Sequence, residues 1–552
     1  MTARIGSVTV GTAGSGLTRR SFLGAAIGAV VAACSRGDDG RDGGAGDSPA
    51  TVPRPAAPRL ASNPFSLGVA SGDPLPGGVV LWTRLVPDPL APDGGMPDEP
   101  VDVRWMLATD DRMANVVASG ITTASPRHAH SLHVEVDGLD PDTTYHYRFD
   151  LGEHASPTGR TRTAPEPGSG VRSLRLAVAS CQAYQSGYFG AYRHLAGEDV
   201  DAVCFVGDYI YELEASTDAR THGLDPPTDL TGFRALYGVY KSDPDLRAAH
   251  AAHPWIVTWD DHEVEDNYAG LEPGAIGTAR GLDPATFPAR RAAAYQAFWE
   301  HLPLRGGPPG DDGSLRIHRE LRYGELVTLA VLDGRQYRSP IIVGEGAGHL
   351  PRIAGGGPLL PDTFDESRTM LGEEQERWLH DLLRSSTTTW NVLVHQTVMG
   401  EVDRAPSDPA RGISMDSWDG YVAARERLLG FVRDEGVGNL VALGGDIHAS
   451  AVLDLYDTYR GDDRSLVGTE VIAPSISAVE LLPAGFREGT RSNPHIQLYD
   501  PDRRGYLLVE IRPDEMRADF RLLSDAVDPD ATIETASSWV IRSGTPGAAR
   551  VG

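Results

Sequence analysis

Four runs of apolar, β-branched-rich sequence each stop at side chains able to bind a cation, and this pattern restricts both the fold and the chemistry. LRLAVAS ends at Ser180 before Cys181, AVCFVG ends at Gly207 before Asp208, WIVTW ends at Trp259 before Asp260 and Asp261, and NLVALGG ends at Gly445 before Asp446 and His448. Short apolar stretches bounded by Gly or polar clusters read as buried strands, and open α/β sheets gather ligands beyond the carboxyl ends of their strands. Four endings in oxygen, nitrogen or sulfur donors exceed what packing explains. They point to a metal site.

The rest of the chain fits around these strands. From about residue 171 to 525, strands alternate with segments at 188–197, 229–241, 288–302, 372–385 and 419–435 whose apolar residues recur every three or four positions. Such alternation predicts a layered α/β domain. Residues 59–165 instead carry alternating segments, VVLWTRL, VDVRWMLA, HSLHVEVDGL and TTYHYRFDL, at the spacing of a small all-β, immunoglobulin-like sandwich. TAPEPGSG (163–170) reads as the linker between the two parts, residues 526–552 as a C-terminal tail, and 271–288, 305–313 and 343–362 as long surface loops. A length of 552 residues suits two folded domains behind a leader.

The formal net charge of −27 repels nucleic-acid phosphates and anionic lipid surfaces and welcomes divalent cations. No specific nucleic-acid binding is expected. Thr18-Arg19-Arg20-Ser21-Phe22-Leu23, followed by an apolar stretch to Ala33 too short to span a bilayer, reads as a twin-arginine leader (1–34), which makes the twin-arginine translocation machinery a partner. Val31-Ala32-Ala33-Cys34 resembles a lipobox, in which Cys34 is lipidated and tethers the protein outside the cytoplasmic membrane; the alternative is secretion by cleavage elsewhere. Residues 35–58, rich in Gly, Asp, Pro and Ser, read as a flexible stalk. Three cysteines exclude a disulfide framework: Cys34 is the candidate lipid acceptor, Cys204 reads as a small core residue, and Cys181 stands at a strand mouth.

The donor types narrow the chemistry further. Gly207-Asp208-Tyr209-Ile210-Tyr211 sets a carboxylate and a phenol three residues apart, within reach of one ion. A phenol binds as phenolate mainly to a hard, highly charged centre, which favours ferric iron over zinc. The segment Trp259 to Asn267 packs five acids, a His and an Asn into nine residues, and Asp261 and Asn267 offer the oxygen donors that calcium-type ions prefer. Asp446 and His448, two apart, point the same way in extended chain. Thiolate suits iron or zinc. The set predicts a transition-metal ion beside harder, oxygen-bound ions, and hydrolysis of phosphate esters is the reaction that most needs such a cluster.

The blocks ASCQAYQSGYFGAYRHLA, VGDYIYE, HPWIVTWDDHEVEDNYAG, WNVLV, GGDIHAS and NPHIQLYDPDRRGY occur in an order that resembles the PhoD family of alkaline phosphatases and phosphodiesterases, over nearly all of residues 60–525. The resemblance implies a two-sheet metallophosphatase sandwich flanked by helices, similar to purple acid phosphatases, holding one ferric iron and calcium ions. It implies that Cys181, Tyr211 and His448 bind iron, that Asp208 bridges towards calcium, and that Asp446, Asp261 and Asn267 supply calcium oxygens. His262 would lie close to substrate, and phosphate mono- and diesters would be cleaved by attack of metal-bound hydroxide without a covalent enzyme intermediate. His395, in LVHQTVMG, departs from the Gln or Asn expected there and is carried as a second catalytic candidate. Gly334, in LDGRQYRS, replaces an expected Thr.

Overall fold

The computed structural model describes residues 52–213, 219–342, 358–407, 412–479 and 484–552. The leader, Cys34, residues 35–51 of the stalk and residues 343–357 of the third surface loop lie outside them. Among the described residues no helix is long and apolar enough to cross a membrane.

Two large sheets build the frame. The first runs, from edge to edge, Thr545–Arg550, Ile533–Arg542, Glu515–Leu523, Gly505–Ile511, Leu174–Ala179, Ala202–Phe205, Pro254–Val257, Val69–Leu75, Gly78–Arg84 and Ser131–Asp137. The second runs Arg319–Tyr323, Val327–Val331, Trp390–Val394, Leu440–Gly444, Leu466–Ile472, Ser450–Tyr456 and Ile496–Asp500. Central parallel strands such as AVCF and LVALG are buried along their whole length, because both of their faces are covered. Between the sheets lie Val178, Cys204, Val206, Ile256, Leu329, Val392 and Leu443. Phe205, Trp255, Tyr237 and Phe298 belong to the core beneath helices Leu230–Lys241 and Phe287–His301, and Leu379, Leu383, Leu428 and Leu429 to that beneath Gly372–Ser385 and Val422–Glu435. Each large side chain so buried contributes roughly 1.5–3 kcal/mol. The result is the expected layered α/β sandwich, helices outside and sheets inside.

Helix starts follow local chemistry. Asp229 accepts the N–H of Gly232 at 2.9 Å ahead of Leu230–Lys241, and Asp243 accepts those of Asp245 and Leu246 ahead of Pro244–Ala252. In the second helix Pro244 occupies the first position, where no backbone donor is required.

Three expectations are corrected. The all-β segment 59–165 is present, with a core of Val79, Leu81, Val103, Leu107, Val134 and Tyr147, but it does not close on itself. Val69–Leu75 pairs in parallel with Pro254–Val257, Ser71 opposite Pro254 and Gly72 opposite Trp255, so one of its sheets continues the large sheet. Residues 526–552 are not a tail. They supply the last two strands of the first sheet, Ile533–Arg542 and the edge strand Thr545–Arg550, and Trp539 and Ile541 enter the inter-sheet core, an alternation that the polar ETASS run hides. The end of the stalk, 52–58, is tied down: Arg54 meets the buried Asp150 at 2.9 Å and Arg104 donates to the Val52 carbonyl at 2.9 Å.

Candidate metal centre

Leu174–Ala179, Ala202–Phe205 and Pro254–Val257 are parallel neighbours in close register, with Phe205 opposite both Ala179 and Val257. Their carboxyl ends therefore finish level and deliver Cys181, Asp208 and Asp261 side by side. The second sheet brings Leu440–Gly444 to the same end, with Asp446 and His448 beyond it. The sheets touch where Ser180 bridges Ser475. A Cβ on Gly445 would fall 2.6 Å from Ser180 Oγ, so only glycine lets the second sheet approach this closely.

Backbone strain marks the same place. Cys181, Asp208, Asn267, Asp446 and His448 all have φ between 52° and 70°. Left-handed backbone at residues other than glycine costs of order 1–3 kcal/mol each and gathers where function requires a side chain re-aimed. After the strands that end before Cys181, Asp208 and Asp446 the chain turns through a left-handed residue and the donor swings across the sheet end, while Asp261 arrives on ordinary backbone.

Two donor groups result. Ligand atoms of Cys181, Asp208 and His448 lie within 4.8 Å of one another, and so do those of Asp208, Asp261 and His262. Asp208 belongs to both. The Tyr211 hydroxyl sits 2.9 Å from Asp208 Oδ2 and 3.0 Å from His448 Nε2.

The chemistry of these donors fits cations. His448 Nδ1 lies 3.0 Å from the Val479 carbonyl and must carry the hydrogen there, so Nε2 presents a lone pair. Burial lowers the His448 pKa to about 4 and keeps the ring neutral. Asp208 and His448 thus compete for the single phenol hydrogen of Tyr211. Burial first, and the Asp208 carboxylate next, push the Cys181 thiol and the Tyr211 phenol well above their ordinary values. Asp208 Oδ1 and Asp261 Oδ1 are buried without hydrogen-bond partners. Cations at the two donor groups would satisfy such oxygens and stabilise thiolate and phenolate.

The remaining predicted residues are placed as follows. His262 stacks on Tyr211 at 4.2 Å, and its Nδ1 lies 2.8 Å from Glu212 Oε2. Burial opposes its charge, but Glu212, then Asp261 and Asp208, hold its pKa well above the usual value. Asp261 is held well below the usual carboxylate range: burial works against ionisation, and Arg335, His262 and the Asn267 N–H outweigh it. Asn267 donates that N–H at 2.7 Å, and its side-chain amide bonds Asp266, so its visible role is to fix Asp261. Asp446 accepts from the Thr397 hydroxyl and stands outside both donor groups; burial, then Asp416, raises its pKa to about 6. His395 also stands outside both groups, Nε2 3.2 Å from Glu470 Oε1 and its ring against Gly444. The neighbouring Gln396 and Thr397 are the residues of that block which reach the Gly334 turn and Asp446.

Sequence reasoning missed the supports. Glu263, fully buried, accepts the backbone N–H groups of Tyr209 at 2.7 Å, Asp208 at 3.1 Å and Asp260 at 2.9 Å, holding the turn that bears Asp208. Glu212, Arg335 and Asp416 also escaped notice. Glu212 lies only four residues beyond Asp208, whereas no periodicity marks Arg335 or Asp416.

Frame and donors together define a two-sheet α/β protein with a candidate centre for adjacent cations. The profile of the PhoD-like phosphatases matches residues 176–520, and that of the PhoD-like phosphatase N-terminal domain matches residues 50–165. The chain is 42% identical over 506 residues to alkaline phosphatase D of Bacillus subtilis (strain 168), covering 90% of this chain and 84% of that protein. A solved structure of PhoD superposes with a TM-score of 0.82 at 40% identity, covering 90% of this chain and 94% of the other. The chain belongs to the PhoD-like phosphatase family, a class of hydrolases.

Proposed function

We propose that this protein hydrolyses phosphate mono- and diesters with ferric iron at Cys181, Asp208, Tyr211 and His448, and calcium around Asp208, Asp261, Asn267 and Asp446. The observation that carries this reading is Asp208, whose carboxylate is common to two donor groups. A carboxylate with two oxygens suits two neighbouring ions, and thiol and phenol on one side with oxygen donors on the other suit ions of different hardness. When bound, the cations supply the charge that neutralises a phosphoryl group and activates water.

The chain's own residues orient the reaction. His262, its side chain 18% exposed, is the cationic group that can meet substrate. Glu212 bonds its Nδ1 and accepts the Asp266 N–H at 2.9 Å, which fixes the ring and leaves Nε2 to give a hydrogen bond or a proton to a phosphoryl or leaving oxygen. Glu263 holds Asp208, and Asn267 holds Asp261. No side chain is placed to form a covalent intermediate in this scheme. His395 has no part in it.

Residues 59–165 act as the N-terminal part and 171–525 as the catalytic part. The twin-arginine leader supports export by the translocation machinery that reads it, with Cys34 as a lipid anchor on the outer face of the cytoplasmic membrane. Elemental analysis of the mature protein tests the metals, and hydrolysis of paired aryl phosphomonoester and diester substrates, before and after chelation with calcium restored, tests the reaction. Full activity after complete metal removal would refute the proposal. Export is tested by Arg19→Lys with Arg20→Lys, which should leave precursor in the cytoplasm.

A further inference from the structure

Asp260, Asp261 and Asp416, all buried, and the partly buried Asp446 surround one end of the sandwich, yet only Asp261 joins Asp208 in a donor group. The residue that separates them is Arg335. Its guanidinium is fully buried: Nε donates to Asp260 Oδ1, Nη1 to Asp416 Oδ1 at 2.7 Å, and Nη2 to Asp416 Oδ2 at 2.9 Å. Nη2 then stops 3.7 Å from Asp261 Oδ1, too far for a hydrogen bond, and that oxygen has no other partner. Arg338 adds a second guanidinium on Asp416 at 2.7 Å.

The guanidinium is held rigidly. Asp333 Oδ1 accepts the backbone N–H of Arg335 at 3.1 Å and of Gln336 at 3.0 Å, and Gln396 Oε1 accepts that of Gly334 at 2.9 Å. Asp260, through Oδ1 alone with Oδ2 left without a partner, and Asp416, through both oxygens, are therefore ion-paired with Arg335, while Asp261 Oδ1 stays beyond its hydrogen-bond reach and Asp261 shares a donor group with Asp208.

From this geometry we infer that Arg335 is a positioning residue that decides which carboxylates the outer cation meets: it withdraws Asp260 and Asp416 by direct pairing and presents Asp261. A planar fork does what a point charge cannot, because three of its N–H groups engage two acids while the fourth contact stays long. Without it, buried acids on both sides of Asp261 would compete for the same ion, and the ligand geometry would be lost. Residues that orient a ligand without touching the metal commonly change affinity by about 10–100-fold.

The inference rests on the reading that calcium occupies the Asp208–Asp261 position, and the test separates the two. Full-length mature protein, with Arg335→Gln and Asp416→Asn variants, is stripped of calcium with a calcium-selective chelator; calcium is titrated back calorimetrically, and iron is measured in the same samples. In Arg335→Gln, calcium should bind about 10–100-fold more weakly, iron content should equal that of the parent, and saturating calcium should restore turnover. In Asp416→Asn the freed fork can close on Asp261, and calcium should weaken about tenfold. Equal calcium affinity in both folded variants overturns the inference, and so does joint loss of iron and calcium, which marks a merely structural role. Should Arg335→Gln not fold, Asp416→Asn decides. A parent protein that binds no calcium removes the underlying reading and this inference with it.

Discussion

Glu263 offers the most direct test of how the site is held. Its carboxylate, fully buried, accepts three backbone N–H groups, Tyr209 on Oε1 and both Asp208 and Asp260 on Oε2. In Glu263→Gln the best placement sets the amide oxygen against the Asp208 and Asp260 donors. The amide nitrogen then faces the Tyr209 N–H. Two buried donor groups, the Tyr209 N–H and the amide that faces it, are left unsatisfied at about 1–3 kcal/mol each. A total loss of about 2–6 kcal/mol follows. Against a typical stability of about 5–15 kcal/mol this leaves a folded protein, whereas Glu263→Ala strands all three donors and should not accumulate. There is a second consequence. Asp208 holds φ at 60° while its own N–H and that of Tyr209 are both gripped; with Tyr209 released, relaxing the turn to ordinary backbone gains of order 1–2 kcal/mol, which swings the Asp208 carboxylate away from Cys181 and His448. Denaturant unfolding followed by circular dichroism reads the first effect, and metal content of the folded fraction reads the second. Parental stability together with parental metal content in Glu263→Gln would refute the reasoning.

Other consequences are checked more simply. Cys181→Ala should lose iron while retaining its fold, because the thiol sits at a sheet end rather than in the inter-sheet core; elemental analysis decides, and Tyr211→Phe should remove any visible phenolate-to-iron absorption band. Lys241 is buried, with its ammonium 4.2 Å over the Trp82 ring and 3.5 Å from the Tyr209 hydroxyl, and burial lowers its pKa well below the usual value. The unfolded chain therefore binds more protons at this position, and stability should rise with pH up to the ordinary lysine pKa. Lys241→Met should be the more stable protein at neutral pH, with an advantage that shrinks by up to about 1.4 kcal/mol per pH unit towards pH ~10. A pH-independent difference in chemical denaturation would contradict this. Asp150, buried among Arg54, Arg104 and Arg148 at 2.9, 2.6 and 3.3 Å, anchors the start of the folded unit. Asp150→Asn should expose residues 52–58 to limited proteolysis while activity persists, and an unchanged cleavage pattern would show that the Arg54 pair holds nothing.

What the sequence made legible follows from the range of the forces involved. Strands buried on both faces must be apolar throughout, so LRLAVA, AVCF and LVALG announce themselves, and the residue after each is where a donor can appear. The helix at 372–385 was equally plain, because its buried Leu379, Leu382 and Leu383 keep the helical step. Pro244–Ala252 was not: Leu246 is its one large apolar residue, and its signal lies in the Asp243 cap and Pro244 rather than in periodicity. Strands near a sheet edge such as Ile533–Arg542 need only part of one face apolar, which lets ETASS pass for a tail.

The site divides along the same line. Donors at strand ends are local, since a strand must stop somewhere and its next few residues are fixed to one another by covalent geometry. Their supports are contacts between distant turns: Glu263 with Tyr209, Arg335 with Asp416, Thr397 with Asp446. Each is one polar residue in a polar loop, and no spacing rule links residues 54, 81 or 49 positions apart. His395 shows the hazard in reverse. It lies at the end of an apolar strand and satisfies the local rule, yet its ring meets Glu470 beside Gly444 instead of the donor groups. The end of a strand fixes where a side chain begins, and the turn that follows decides where it goes. Cys181, Asp208 and His448 turn through left-handed backbone into a common pocket. His395 is absent from the residues with positive φ. A strained turn thus re-aims Cys181, Asp208 and His448 into the centre, whereas Asp261 reaches it from ordinary backbone because the turn after its strand already heads there, and His395 has neither aid.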